Sequence, residues 1–185
     1  MEYPIYYLSE EQIAFAKMQA KLRNEAKPLN IREKSRRGNH TSYKSHELGI
    51  TAEIAYGDVA NEKIDLTIHP HGDSVDFWGR EVRGATWKGR NIELKVKLSE
   101  YLRKTPNIYI LTRVSEDLTY VEFIGYITRE KFDKVKYIKN YGYGDNYCVG
   151  EDQLTKGLPV VINGEMKYIS FDMVNKIIKN KKSNM

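Results

Sequence analysis

The stretch Asn91-Ile92-Glu93-Leu94-Lys95-Val96-Lys97 decides how this chain is read. Its alternation places Ile92, Leu94 and Val96 on one face of a β-strand and Glu93 and Lys95 on the other. A carboxylate and an amine two residues apart thereby project together. Upstream, Asp76 stands inside the strand-like Ser74-Val75-Asp76-Phe77-Trp78-Gly79. Two carboxylates brought together from neighbouring strands form a hard oxygen site suited to Mg²⁺. Asp, then Glu-x-Lys, points to metal-dependent phosphodiester hydrolysis.

Working outward, strands are expected over residues 63–69, 74–82, 91–97, 107–114 and 120–128. The runs Ile108-Tyr109-Ile110-Leu111 and Phe123-Ile124-Gly125-Tyr126-Ile127 are apolar on both faces, as in strands central to a covered sheet. Short helices fit 99–104 and 129–135. A longer helix over 46–60 carries a narrow stripe of Ile50, Ile54 and Gly57, with Glu53 bordering the buried face. Before it, Ser9-Glu10-Glu11-Gln12 has the form of a capping box opening a helix over 10–26, with Phe15, Met18 and Leu22 on its apolar side. Residues 30–45, which include Arg36 and Arg37, are basic and without apolar period, and read as a loop. A glycine- and tyrosine-rich loop, Asn140 to Gly144, precedes Val160-Val161-Ile162, the type I′ turn signal Asn163-Gly164 and Met166-Lys167-Tyr168-Ile169. A final helix begins at 170, and a basic tail closes the chain.

At 185 residues the chain is read as one domain with one real core. Its 41% apolar and 30% charged composition is that of a soluble globular protein, and no apolar run approaches the roughly 20 residues of a membrane span. Met1-Glu2-Tyr3-Pro4 lacks the form of a signal peptide, and a cytoplasmic setting is the expectation. The single cysteine, Cys148, excludes an internal disulfide and any site built on several thiolates. A net charge of +5 and a pI near 9.1 favour polyanionic partners. Basic residues outnumber acidic ones over 21–44 and again over 80–113, on either side of the carboxylates.

The order of helix with Glu53, strand, Asp76 strand, Glu93-x-Lys95 strand, helix, strand and strand resembles the restriction-endonuclease-like superfamily, named for its PD-(D/E)XK motif. The resemblance covers roughly residues 46–129. Gly49-Ile50-Thr51-Ala52-Glu53 looks like the first core helix, and Val75 stands where the motif has proline. The resemblance implies an α/β fold: a restriction-endonuclease-like core with a mixed central sheet of about five strands flanked by helices, an N-terminal helix, and a C-terminal hairpin plus helix. Residues 1–45 then form an N-terminal arm and 130–185 an elaboration of a single nuclease-like domain, 1–185.

The resemblance also implies roles. Asp76, Glu93 and the Leu94 carbonyl would hold Mg²⁺, with Mn²⁺ able to substitute, and Lys95 would orient or deprotonate the attacking water. Glu53 would complete a second metal position or bind a metal-bound water. Arg36, Arg37, Lys97, Arg103 and Lys104 would grip phosphates at the rim. The implied activity is a DNA endonuclease of defence, recombination or mobile-element and viral type, with RNA left open as substrate and a homodimer as the assembly. The alternative is a non-catalytic nucleic-acid-binding or regulatory protein on the same scaffold. A blander use of Asp76, Glu93 and Lys95 is an exposed ion-pair ladder. Tyr137, Tyr141, Tyr143 and Tyr147 offer rings for unpaired bases, although core and hairpin packing is the commoner use of such a cluster.

Overall fold

The computed structural model describes residues 2–26, 42–67, 75–86, 92–142 and 144–183. Within them the chain runs β1 (Ile5–Tyr7), α1 (Glu10–Glu25), α2 (Ser42–Ala60), β2 (Arg80–Ala85), β3 (Glu93–Lys97), α3 (Leu98–Arg103), β4 (Ile108–Val114), β5 (Tyr120–Thr128), α4 (Arg129–Val135), β6 (Tyr137–Asn140), β7 (Asp145–Gly150), a 3₁₀ turn (Glu151–Gln153), β8 (Gly157–Ile162), β9 (Glu165–Ser170) and α5 (Phe171–Ser183). The fold is mixed α/β, as expected.

The central sheet holds four described strands rather than about five, in the order β1-β5-β4-β2. β2 runs parallel to β4, whereas β4–β5 and β5–β1 are antiparallel. The doubly apolar runs in β4 and β5 lie at its middle, covered on both faces. One face packs Val82, Ile110, Val114, Val121 and Phe123 against α2 and the C-terminal hairpin. The other packs Tyr109, Leu111, Ile124 and Ile127 against Phe132 of α4 and Leu94, Val96 and Val149 of a second sheet. That second sheet is three-stranded, β3-β7-β6, and antiparallel throughout.

Several sequence expectations are corrected. The stretch read as a strand over 74–82 is split: Phe77 and Arg80 bridge each other across a tight turn, and the strand proper starts at Arg80. Residues 63–67 of the expected 63–69 strand form no strand, and the rest of it lies outside the described residues. Glu93–Lys97 is a strand, but in the second sheet instead of the central one. The glycine- and tyrosine-rich stretch at 140–144 begins at the last residue of β6 and leads to β7, two hairpin strands not expected from the sequence. The capping box at Ser9 forms, with both reciprocal bonds present, yet Met18 and Leu22 are exposed and the buried face of α1 is Ala16, Gln19 and Ala20. Small residues there let α1 approach α2 closely.

α2 is buried all round over residues 50–57 because it is sandwiched between α1 and the sheet. Gly84 of β2 is required by that packing: a Cβ there would stand 2.4 Å from the Leu48 carbonyl oxygen. At the opposite end of the chain the Asn163-Gly164 turn joins β8 and β9, with φ of 54° and 81°, the doubly positive geometry of a type I′ hairpin. No described helix is long and apolar enough to cross a membrane.

Candidate active site

β2 is the outer strand of the central sheet among the described residues, so its outward N–H groups and side chains meet whatever lies beside that edge. Asp76, in the turn just before β2, folds back and accepts the Val82 N–H at 2.8 Å. Glu81, on the strand, is buried. Its Oε1 accepts from Lys104 Nζ at 2.8 Å and lies 3.0 Å from Arg83 Nη2. Glu53 reaches the same region from α2, 3% exposed and clamped bidentately by Arg23 of α1, with both contacts at 2.9 Å. Arg83 also meets Glu100 of α3 at 2.9 Å. Four carboxylates thus face three cations.

The electrostatics register this imbalance. Burial pushes the Asp76 carboxyl well above the ordinary carboxylate range, and the charges of Glu53 and Glu81 push it further, with Lys104 and the Val82 N–H opposing. Glu53 is raised by burial too, against the pull of Arg23. Among the described residues Asp76 has no cation within ion-pairing distance. The second oxygen of Glu81, Oε2, is buried without a hydrogen-bond partner. A buried carboxylate oxygen left without a donor is costly, and a hard divalent cation is one group that relieves it.

The donors fit such an ion in chemistry, as a pair. Among the described residues no three His, Cys, Asp or Glu side chains are grouped so as to hold a metal. Mg²⁺ is commonly bound by only one or two carboxylates and keeps several waters. Asp76 and Glu81 are the two that would serve, with Glu53 held back by Arg23.

The four residues assigned to catalysis from sequence are therefore divided. Glu53 and Asp76 belong to one electrostatic cluster at the β2 edge. Glu93 and Lys95 do not join it. Glu93 accepts hydrogen bonds from Tyr137 at 2.7 Å, Tyr141 at 2.5 Å and Lys139 at 3.0 Å, all on or beside β6. Lys95 Nζ stands 3.9 Å from Glu93 and 4.0 Å from the centre of the Tyr141 ring. Burial works to raise the Glu93 pKa, but the two tyrosine hydroxyls and Lys139 outweigh it and hold the carboxyl at about 2. Leu94, expected to offer its carbonyl to the metal, is fully buried in the second core and pairs with Val149 along β7.

Of the expected phosphate contacts, Lys104 is turned inward onto Glu81. Lys97 and Arg103 are exposed, with Arg103 Nε donating to the Ser99 carbonyl at 3.2 Å. Arg36 and Arg37 lie outside the described residues, as does Tyr143 of the tyrosine cluster.

The sequence reading missed Glu81, Arg83 and Arg23. A signal for the first two was present: Glu81-Val82-Arg83 is itself an acid-x-base step in an alternating strand, a few residues past Asp76. For Arg23 there was none, since a last-turn arginine usually serves the helix dipole.

Compared with known proteins, the chain matches no family model, no curated protein and no solved structure.

Proposed function

We propose that the protein is a divalent-cation-dependent phosphodiesterase acting on nucleic acid, DNA foremost, with its centre at Asp76 and Glu81 rather than at Glu93 and Lys95. The observation that carries this reading is the unpartnered, buried Glu81 Oε2 beside a desolvated Asp76 at the edge of the sheet. With Glu81-Val82-Arg83 as the acid-x-base strand and β3 as an insertion, the order of helix, Asp76 segment, motif strand, helix, strand and strand is preserved. A net charge of +5 suits a polyanionic substrate.

In this reading Asp76 and Glu81 hold Mg²⁺ or Mn²⁺. An ion held there would supply a bound water of lowered pKa and would screen charge gathering on phosphorus. Lys104, in contact with Glu81, provides the ammonium sought at Lys95. Arg23 holds both oxygens of Glu53 and opposes the rise that burial imposes on its pKa, so that Glu53 would be engaged by the arginine and not by the ion. Arg83, held between Glu81 and Glu100, fixes the strand's acid in place.

Titrating Mg²⁺ and Mn²⁺ against linear, branched and single-stranded substrates tests the reading. Cleavage that requires metal, and that is lost in Asp76→Ala and Glu81→Gln while DNA binding persists, is the expected result. Absence of cleavage on every substrate, or full activity in both variants, would overturn it.

One observation favours a second reading, a non-catalytic nucleic-acid binder: Arg23, Arg83 and Lys104 already sit on Glu53 and Glu81. That protein would show salt-dependent affinity with no metal requirement, and Mg²⁺ would leave its melting temperature unchanged.

A further inference from the structure

The second sheet has two unlike faces. In an antiparallel ladder, residues directly opposite share a face. The register pairs Lys95 with Cys148 and Cys148 with Tyr137, and Lys97 with Asn146 and Asn146 with Lys139. Leu94, Val96 and Val149 point the other way, into the core. The outward face is therefore a row of Lys95, Lys97 and Lys139 with Tyr137 and Tyr141 among them. The side chains of Lys95 and Lys139 are 44% and 46% exposed, and Tyr137 is 43% exposed.

These groups are ordered by one another. Glu93 accepts from both tyrosine hydroxyls and from Lys139, which fixes the ring orientations. Tyr141 lies against Cys148 Sγ at 3.6 Å and carries Lys95 and Lys139 over its ring at 4.0 Å and 5.0 Å. Two ammonium groups, those of Lys95 and Lys139, are thus held on one surface, with the exposed Lys97 on the same strand face, while Tyr137 keeps open ring area. The acids around them are Glu93, engaged as described, Asp152 beside Gly150 and Tyr137, and Glu100, which lies within electrostatic reach of Lys97 and is itself paired with Arg83.

We propose that this face is a docking platform for single-stranded nucleic acid, with Lys95, Lys97 and Lys139 meeting phosphates and Tyr137 meeting a base. Positive charge tracking a backbone beside an aromatic ring is the physical requirement for binding unpaired strands, because a duplex hides its base faces. The inference rests on the nucleic-acid reading above and extends it from the cleavage centre to the substrate's form. Glu93 and Lys95 then act in binding, with Glu93 a positioning residue for Tyr137, Tyr141 and Lys139.

The test is fluorescence anisotropy with a labelled single-stranded oligonucleotide and its duplex, in EDTA across a salt series. The wild-type protein should prefer the single strand. Lys95→Ala with Lys139→Ala should weaken single-strand binding by roughly tenfold or more and flatten the salt dependence by about 0.7 in log–log slope per lysine removed. Tyr137→Leu should weaken binding roughly five- to tenfold and leave the slope unchanged. Circular dichroism establishes the folding of each variant, which should be unaltered, and melting should fall by no more than about 2–4 °C, because each change removes a surface partner of Glu93. Wild-type affinity in the folded lysine double variant, or an equal preference for duplex, would overturn the platform. Because EDTA removes cleavage from the measurement, failure of the Asp76–Glu81 centre and failure of the platform give different results: the first abolishes metal-dependent cutting with binding intact, the second leaves cutting while the lysine substitutions change nothing.

Discussion

At the β2 edge, Asp76 and Glu53 sit where water has been removed, and their carboxyls are pushed upward in pKa; on the outward face of β3, Glu93 is drawn down to about 2 by two tyrosine hydroxyls and a lysine. Both places contain an acid-x-base step in an alternating strand, Glu81-Val82-Arg83 and Glu93-Leu94-Lys95. The difference lies in what the fold stacks against each strand. β2 has α2 on one face and α3 beside it, which bury its charges. β3 turns its apolar side inward and leaves its charges near water. A buried excess of acid attracts a cation; an acid satisfied by its own neighbours organises a surface.

The largest expected effect that separates the two regions is on catalysis. Asp76→Asn or Glu81→Gln should lower metal-dependent cleavage by about 10²–10³-fold, while Lys95→Ala should leave the rate at saturating substrate near wild type. Single-turnover cleavage measures both, and a collapse in Lys95→Ala alone would reverse the assignment.

Of comparable free energy, but on stability instead of rate, is the clamp on Glu53. Arg23→Ala removes both hydrogen bonds from a buried carboxylate and should destabilise the protein by about 3–5 kcal/mol, read from urea unfolding. Arg23→Met combined with Glu53→Leu should recover much of that loss, since an apolar pair of similar volume need not desolvate charge. No recovery would mean that the pair does more than neutralise itself.

The pH dependence of the two regions should differ in sign. A folded-state pKa raised above the unfolded value means the native protein holds its proton more tightly, so the penalty at Asp76 is absent at low pH and grows as pH rises through the folded pKa. Without divalent cation, Asp76→Asn should therefore melt higher than wild type at neutral pH, by about 2–4 °C for roughly 1 kcal/mol. That gain should vanish on acidification. Melting curves that show Asp76→Asn less stable at every pH would contradict the desolvation argument.

Glu93 is the reverse case. Its folded pKa lies below the unfolded carboxylate value, so its contribution is complete above about pH 4.5 and is lost as pH falls through about 2. Glu93→Gln should cost about 1 kcal/mol at neutral pH, discounted for solvent screening at a surface site. The gap to wild type should close as pH falls from 4.5 towards 2. A gap that is constant with pH would assign the loss to hydrogen bonding alone.

Much of the fold was legible because local chemistry and tertiary structure agree. The Ser9 capping box, the doubly apolar β4 and β5 and the Asn163-Gly164 hairpin each have a local physical cause, and each formed. Glu53 and Asp76, both named from the sequence, lie within electrostatic reach of each other. The reading failed where long-range packing chose between equivalent local signals. Nothing in the alternation of residues 91–97 says which sheet the strand joins, and only the pairing of β3 with β7 takes Glu93 away from Asp76. The inward face of α1 was misread because Ala16, Gln19 and Ala20 give no apolar stripe: small residues were chosen for close approach to α2, and Arg23 for a partner on another helix.

Parallel cleavage assays of Glu81→Gln and Glu93→Gln on one labelled DNA substrate, with Mg²⁺ or Mn²⁺ supplied and then chelated, test the central assignment most directly. Metal-dependent cutting that disappears in Glu81→Gln and persists in Glu93→Gln is the predicted result. Cutting lost in Glu93→Gln and kept in Glu81→Gln would return the chemistry to the β3 strand, and a wild-type protein inert with either metal would remove it from both.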